Sequence, residues 1–251
     1  MRNESAWTET KFSKDSRGRW RCNRSVVPAT SHLFVDLVAK AYARALDTHA
    51  HGRIADLGCG TVPLYGMYRS LASEVFCVDW PNSFHNLSHI DLFADLNAPL
   101  DMPPGSFDTV IATDVIEHLH DPYEFLRSSA RILKEDGKLI VGVPFLYWVH
   151  EAPHDYFRYT RYALEKMTSD SGLQLVELYP FGGPLEVLFD LVAKIAGSKM
   201  RATGIVNFFA SWILSIPAIR NASGSKADKV PLGYILVAEK PKLADGAREM
   251  I

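Results

Sequence analysis

The chain has 251 residues, of which 47% are hydrophobic and 22% are charged, and its formal net charge at pH 7 is −2. This composition is typical of a globular protein and excludes a disordered or fibrous chain. No long block of Lys and Arg occurs, so we predict that nucleic acid is not a partner.

The N-terminal sequence MRNESAWTETKFSK has no apolar segment of the kind that a signal peptide needs. No apolar run reaches 18 residues, so no membrane-spanning helix is predicted. The three cysteines include no CxxC pair, which favours a reducing compartment. We therefore expect a cytoplasmic protein with an N-terminal arm over residues 1–30 and a C-terminal tail over residues 242–251.

The sequence predicts helices and strands that alternate from residue 31 to about residue 180. The apolar stripe of residues 31–50 is typical of an amphipathic helix with Ser31 as its N-cap. Further helices are predicted over residues 62–72, 121–137 and 159–172, the third of them capped by Thr160. Strands are predicted from short apolar runs over residues 53–58, 73–80, 108–113, 138–145, 173–180 and 231–241.

The strands are continuously apolar rather than alternating, which indicates a mainly parallel sheet covered on both faces. We predict an α/β fold with a doubly wound, Rossmann-like sheet in one domain over residues 31–241. Residues 181–230 form a long connection before the last strand, and a connection of that length is expected to have structure of its own. Two strongly apolar segments within it predict a helical insertion.

The turn after the first strand, DLGCGT (56–61), lies where ligands bind in this class of fold. Gly58 and Gly60 would let the backbone approach a ligand closely. Pro63 replaces the third glycine of a dinucleotide motif, which argues against a nicotinamide-dependent oxidoreductase. Asp79 ends the second strand, where a carboxylate can accept both hydroxyls of a ribose.

The motifs DLGCGT, VFCVDW, FADLNAPL and FDTVIATDVIEHLHDP, followed by LKEDGKLIVGVPF, resemble those of class I S-adenosylmethionine-dependent methyltransferases of the type 11 branch. The resemblance implies S-adenosyl-L-methionine as the cofactor. It implies that Asp79 binds the ribose, that Asp95 meets the adenine, and that Asp114 lies beside the transferred methyl group. The cofactor-binding residues implied are Asp56, Gly58, Cys59, Gly60, Asp79, Trp80, Asp95, Leu96, Asp114 and Val115.

Two stretches could serve the methyl acceptor. DVIEHLHD places Glu117, His118 and His120 after the third strand, and the loop over residues 144–164 concentrates further polar side chains. The candidate catalytic residues are His118, His150, His154 and Asp155, and the candidate substrate-binding residues are Tyr156, Arg158 and Tyr159. His150, His154 and Asp155 could also be metal ligands, but a loop gives them no fixed spacing, so no metal is predicted.

The segment HEAPHDYFRYT resembles one found in type 11 methyltransferases, many of them encoded among bacterial surface-polysaccharide genes. We therefore predict O-methylation of a small molecule or a lipid-linked saccharide. A lipid or quinone-type acceptor and a non-catalytic methyltransferase-like subunit are alternatives. The insertion could pack on its own domain, form a homodimer face, or contact a membrane peripherally through residues 185–219.

Overall fold

The computed structural model describes residues 1–82, 88–197 and 200–242. The strands are β1 (Phe12–Lys14), β2 (Trp20–Cys22), β3 (Gly52–Leu57), β4 (Ala72–Asp79), β5 (Leu92–Phe93), β6 (Phe107–Thr113), β7 (Leu133–Pro144), β8 (Gln174–Phe181) and β9 (Gly233–Glu239). The α-helices are α1 (His32–His49), α2 (Tyr65–Tyr68), α3 (Pro122–Ile132), α4 (Arg161–Asp170), α5 (Pro184–Ala196), α6 (Met200–Ser215) and α7 (Pro217–Gly224). Short 3₁₀ turns occur at Glu4–Ala6, Ala29–Ser31 and Ile116–His118.

The central sheet has seven strands in the order β5-β4-β3-β6-β7-β9-β8. Strands β3 to β7 pair in parallel, whereas β9 runs antiparallel between β7 and β8. The predicted mainly parallel, Rossmann-like sheet is confirmed. The chain moves outward from β3 through β4 to β5 and then returns to β6 on the other side of β3. The strand order therefore reverses between β3 and β6, where ligands bind in open α/β sheets.

Alternate residues of β3 belong to two hydrophobic cores, one on each face of the sheet. Ile54 belongs to the core that contains the α1 residues Val38 and Tyr42, whereas Ala55 belongs to the core on the opposite face, with Phe125 of α3. All five are buried. Coverage on both faces explains why the strand sequences are continuously apolar.

Two helices differ from their predicted extents. The helix predicted over 121–137 ends at Ile132, because Leu133 pairs with Phe107 and begins β7. The helix predicted over 62–72 shortens to α2, since Val62 has a positive φ of 53° that no helix can include. Thr160 caps α4 as predicted, with its hydroxyl oxygen accepting from the backbone N–H of Ala163 at 3.2 Å.

The predicted N-terminal arm contains the hairpin of β1 and β2. Phe12 and Cys22 of this hairpin are buried in the core that contains α1. The indole N–H of Trp7 donates to the backbone oxygen of Val62 at 3.0 Å. The arm therefore packs beside the glycine turn that follows β3.

Candidate active site

A cavity of about 530 Å³ opens at the carboxyl ends of β3 and β6, where the strand order reverses. All ten residues that the sequence resemblance places around the cofactor line this cavity: Asp56, Gly58, Cys59, Gly60, Asp79, Trp80, Asp95, Leu96, Asp114 and Val115. Of the predicted acceptor residues, His118, His154 and Tyr156 also line it.

The glycine turn is held against the end of β4. Gly58 and Gly60 have φ values of 70° and 55°, in the region that favours glycine. A Cβ on Gly58 would lie 2.6 Å from Cγ2 of Val115, so a larger residue would push these two segments apart. The backbone N–H of Gly60 donates to Oδ2 of Asp79 at 2.5 Å. The turn and the acid at the end of β4 therefore form one unit.

Asp56 is the buried acid that precedes the glycine turn. The hydroxyl of Tyr68 donates to its Oδ2 at 2.7 Å, and both residues lie in the interior. Burial raises the pKa of Asp56 from 3.8 to about 7. A cationic ligand group at this position would favour the carboxylate form, because an opposite charge stabilises the ionised acid.

Asp114 follows β6 and has a φ of 55°, which is uncommon for a residue other than glycine. Its two oxygens hold it there: Oδ1 accepts from the Tyr42 hydroxyl at 3.0 Å, and Oδ2 accepts from Nζ of Lys11 at 3.1 Å. Backbone strain of this kind persists where surrounding contacts fix it, and it is common at functional sites.

The charge of the cavity fits the expected cofactor. Four aspartates, Asp56, Asp79, Asp95 and Asp114, line it together with Lys11. S-adenosylmethionine carries a sulfonium and an ammonium cation beside one carboxylate, and carboxylates stabilise such cations in a partly desolvated site. The residues present therefore fit this group.

Hydrogen bonds of three predicted site residues, Asp155, Arg158 and Tyr159, hold the loop after β7 in place. These three residues do not line the cavity. The carboxylate of Asp155 accepts from both terminal nitrogens of Arg158, at 2.5 and 2.7 Å. The hydroxyl of Tyr159 is buried and donates to the backbone oxygen of Ile116 at 2.8 Å. Nδ1 of His154, which does line the cavity, lies 3.0 Å from the Tyr156 hydroxyl oxygen.

Glu117 lies beneath this loop with 0% of its surface exposed. Neither carboxylate oxygen has a hydrogen-bond partner among the described residues. Oε1 lies 3.8 Å from Nε2 of His118 and 3.8 Å from Nε2 of His150. Burial raises the pKa of Glu117 well above its usual range and lowers that of His150. These three side chains have ligand atoms within 4.8 Å of one another and could hold a metal ion.

Lys11, Phe12 and Tyr42 line the cavity but were not among the predicted site residues. Lys11 and Phe12 belong to the N-terminal hairpin, which shows no motif. Tyr42 belongs to the apolar stripe of α1, where it is indistinguishable from a core residue by spacing alone.

Residues 55–141 match a family model described as "Methyltransferase domain", that of the type 11 methyltransferases. This match supports a class I S-adenosylmethionine-dependent methyltransferase of the type 11 branch. The same match supports S-adenosylmethionine as the cofactor, in agreement with the fit of the cavity. The match begins in β3 and ends in β7, so it includes the glycine turn and the acids after β4 and β6.

Two curated relatives are named ubiquinone biosynthesis O-methyltransferase. The one from Xanthomonas euvesicatoria is 31% identical over 106 residues, which cover 37% of this chain and 43% of the relative. The one from Rhodopseudomonas palustris is 28% identical over 151 residues, which cover 53% of this chain and 59% of the relative. The match thus spans about half the length of these two methyltransferases.

A solved SAM-dependent methyltransferase from Archaeoglobus fulgidus has the same fold as this chain. The two are 18% identical, with a TM-score of 0.55, and the superposition covers 81% of this chain and 93% of the other. This likeness supports the Rossmann-like methyltransferase architecture.

Proposed function

We propose that the protein transfers the methyl group of S-adenosylmethionine to a hydroxyl oxygen of a small-molecule acceptor. The observation that carries this proposal is that a single cavity contains all ten cofactor-type residues together with His118, His154 and Tyr156. When bound, the cofactor supplies an electrophilic methyl group and leaves as S-adenosylhomocysteine.

The protein's contribution to such a displacement is alignment, exclusion of water and removal of one proton. The ring of Trp80 meets that of His154 edge to face at 5.6 Å, which narrows the cavity at the acceptor loop. His154 is a candidate base for the proton of the acceptor hydroxyl. The acceptor oxygen then bonds to the methyl carbon as the carbon–sulfur bond breaks, and the electron pair of that bond stays on sulfur.

We infer the kind of acceptor from helix α5. Its charged side chains are buried and its apolar side chains are exposed, the reverse of the usual pattern. Its three charged residues, Glu186, Asp190 and Lys194, are all buried. Its opposite face exposes apolar side chains, of which Ile195 is 76% exposed; the others are Leu188, Leu191 and Val192. Water-facing helices normally show the reverse pattern. This face therefore suits an apolar environment.

Helix α6 packs on α5 and extends the apolar character. Residues 202–215 contain no charge, and Phe208 and Trp212 are 67% and 59% exposed. Among the described side chains of residues 184–230, the exposed bases are Arg220, Lys226 and Lys229, while the exposed acid Asp228 pairs with Arg161 at 3.5 Å. Exposed apolar side chains and exposed bases in the same segment are the chemistry that binds an anionic lipid surface.

Within the described residues, no single helix has the length and hydropathy to span a bilayer. The stretch Ala202–Ser215 meets α7 at an angle of 92°, and this bent pair does have the length and composition for a broken span or a re-entrant segment. Because the charges of α5 are buried and its apolar side chains exposed, we favour peripheral contact through residues 185–219. An acceptor with a lipid tail would then reach the cavity from the membrane.

Two acceptors share that chemistry: a quinone-type ring and a lipid-linked saccharide. The relatives named for ubiquinone biosynthesis favour the first. The methyl-transfer step is tested by calorimetric titration with S-adenosylhomocysteine, S-adenosylmethionine and NADH, followed by transfer of labelled methyl to phenolic and saccharide acceptors. Micromolar binding of the first two ligands and label in one acceptor class are expected. Binding of NADH alone would contradict the proposal, and cofactor binding without transfer would favour a non-catalytic subunit.

A further inference from the structure

The side chains of Glu117, His118 and His150 form a compact cluster beside the cavity. None of the three is among the residues expected to bind the cofactor. The cluster joins the 3₁₀ turn after β6 to the loop after β7. We propose that it binds one divalent first-row transition-metal ion through Glu117 Oε1 and the Nε2 atoms of His118 and His150. This replaces the sequence-based prediction that no metal is bound.

The distances suit such a site. Glu117 Oε1 lies 3.8 Å from the Nε2 atom of each histidine, and all three ligand atoms lie within 4.8 Å of one another. Metal–ligand bonds of about 2.1 Å place tetrahedral ligand atoms about 3.4 Å apart. A contraction of about 0.4 Å for the two shorter separations, and of at most about 1.4 Å for the longest, would therefore close the site. Two imidazoles and one carboxylate are an established ligand set for divalent first-row metals.

The second ring nitrogen of His118 is hydrogen-bonded as a metal-binding histidine requires, whereas that of His150 contacts a carboxylate at ion-pair distance without a hydrogen bond. Nδ1 of His118 lies 2.8 Å from the backbone oxygen of His154, and Nδ1 of His150 lies 3.2 Å from Oδ2 of Asp155. Arg158 in turn holds the Asp155 carboxylate at both oxygens. Ligating histidines usually donate their second N–H to a carbonyl or a carboxylate, which fixes the tautomer and aims the free nitrogen at the metal.

A purely structural role does not account for Glu117. A buried carboxyl group is costly unless its oxygens are paired, and both oxygens of Glu117 lack a hydrogen-bond partner among the described residues. Nε2 of His118 is likewise buried without a hydrogen bond. Since the unsatisfied atoms of these two side chains face each other at 3.8 Å, a cation between them satisfies both.

The site deepens the proposed function and rests on it for its role in catalysis. Three protein ligands leave coordination positions open, and His118 and Glu151 line the cofactor cavity. A metal here would bind an acceptor with two adjacent hydroxyls, such as a catechol or a vicinal diol. Coordination lowers the pKa of the bound hydroxyl. The proton would then pass to His154, the candidate base of the proposed function, while the oxygen bonds to the methyl carbon and the carbon–sulfur electron pair stays on sulfur.

The test is calorimetric titration of the EDTA-treated full chain with Zn²⁺ and with Mn²⁺, in the absence of cofactor and acceptor. We expect one ion per chain, and at least a tenfold loss of affinity in Glu117→Gln and His150→Ala. Asp155→Asn should weaken binding about 10- to 100-fold, because it removes only the support of His150. His154→Ala is the matched control: it removes a histidine from the same loop but keeps the backbone oxygen that His118 uses, so its affinity should equal that of the wild type.

S-adenosylhomocysteine binding, measured on each variant, confirms the fold and separates this proposal from the proposed function. Cofactor binding by a wild-type chain that binds neither ion at one equivalent would overturn the metal site and leave methyl transfer standing. Unchanged affinity for the ions in both Asp155→Asn and His150→Ala would overturn it too, since those ions would then bind elsewhere. A variant that does not bind S-adenosylhomocysteine is treated as misfolded, and the metal affinities of the remaining variants then decide the test.

Discussion

Nζ of Lys11 lies 3.1 Å from Oδ2 of Asp114, although the two residues are 103 positions apart in the sequence. This ion pair connects the N-terminal hairpin to the residue that follows β6. Both residues line the cavity, so the hairpin forms part of its wall. The N-terminal arm is thus part of the binding site and does not merely precede it.

Removing this cation should weaken cofactor binding. In Lys11→Met, Asp114 loses the ion pair that helps to hold its positive φ, and the hairpin is less firmly attached. Because the pair is partly exposed, we expect a modest effect, a three- to tenfold higher Kd for S-adenosylhomocysteine by calorimetry. Lys14→Met, in the same hairpin but outside the cavity, is the control. Equal affinity of the two variants would show that Lys11 does not contribute.

Asp79 should be the most sensitive of the acids after the strands. Its Oδ2 accepts from the Gly60 N–H at 2.5 Å, and the sequence resemblance implies that its carboxylate binds the ribose hydroxyls. Hydrogen bonds to a charged group contribute about 1.5–3 kcal/mol each. Asp79→Ala should therefore raise the Kd for S-adenosylhomocysteine at least tenfold, while the exposed Asp101→Ala should leave it unchanged. An unaltered Kd in Asp79→Ala would remove this residue from the cofactor site.

The raised pKa of Asp56 predicts how stability depends on pH in the absence of ligand. Between its usual value of 3.8 and the folded-state value of about 7, the folded protein holds a proton on Asp56 that the unfolded chain has released. The contribution of Asp56 to the free energy of unfolding is therefore highest below pH 4, and it falls as the pH rises towards 7. Asp56→Asn cannot ionise and should lack this decline.

The measurement is the melting temperature of wild type and Asp56→Asn between pH 4 and pH 8. The difference between the two curves isolates Asp56, because Glu117, whose pKa is also raised, is present in both proteins. The variant should gain stability relative to the wild type as the pH rises, and the difference should become constant above about pH 7. Parallel curves over the whole range would contradict the raised pKa.

Asp79 and Asp114 could be predicted because each stands where a strand defined by the local sequence ends. The end of an apolar run gives the position of Asp79 or Asp114, and the parallel arrangement brings those ends together. The approach of Lys11 to Asp114, and of His150 to Glu117, depends on how distant segments pack, which no local pattern encodes. Periodicity likewise finds the two faces of α5, but it cannot tell which face is buried, because the pairing of Asp190 with Lys194 makes the charged face the inner one.

Membrane contact predicts binding to anionic liposomes that depends on the exposed apolar side chains. The double variant Ile195→Ser and Trp212→Ser should lose co-sedimentation with vesicles that contain phosphatidylglycerol, and should keep its fold because both side chains are largely exposed. Tyr162→Ser, which alters a 73% exposed side chain on α4, is the control and should bind like the wild type. If the wild-type chain does not bind the vesicles and sediments as a dimer, the exposed apolar face of α5 and α6 would instead be the contact between two copies of the protein.

If the acceptor loop supplies the base, a change in that loop should lower turnover much more than it lowers the affinity for the cofactor. His154 lines the cavity, and its Nδ1 lies 3.0 Å from the Tyr156 hydroxyl, so a base at this position would act on the acceptor. General-base catalysis contributes about 10²- to 10⁴-fold, so His154→Ala should lower kcat at least a hundredfold. It should change the Kd for S-adenosylhomocysteine less than threefold. His51→Ala, an exposed histidine at the start of β3, should change neither quantity. A parallel loss of turnover and cofactor affinity in His154→Ala would indicate instead that this side chain shapes the cofactor pocket, and the acceptor proton would then have to leave through another group.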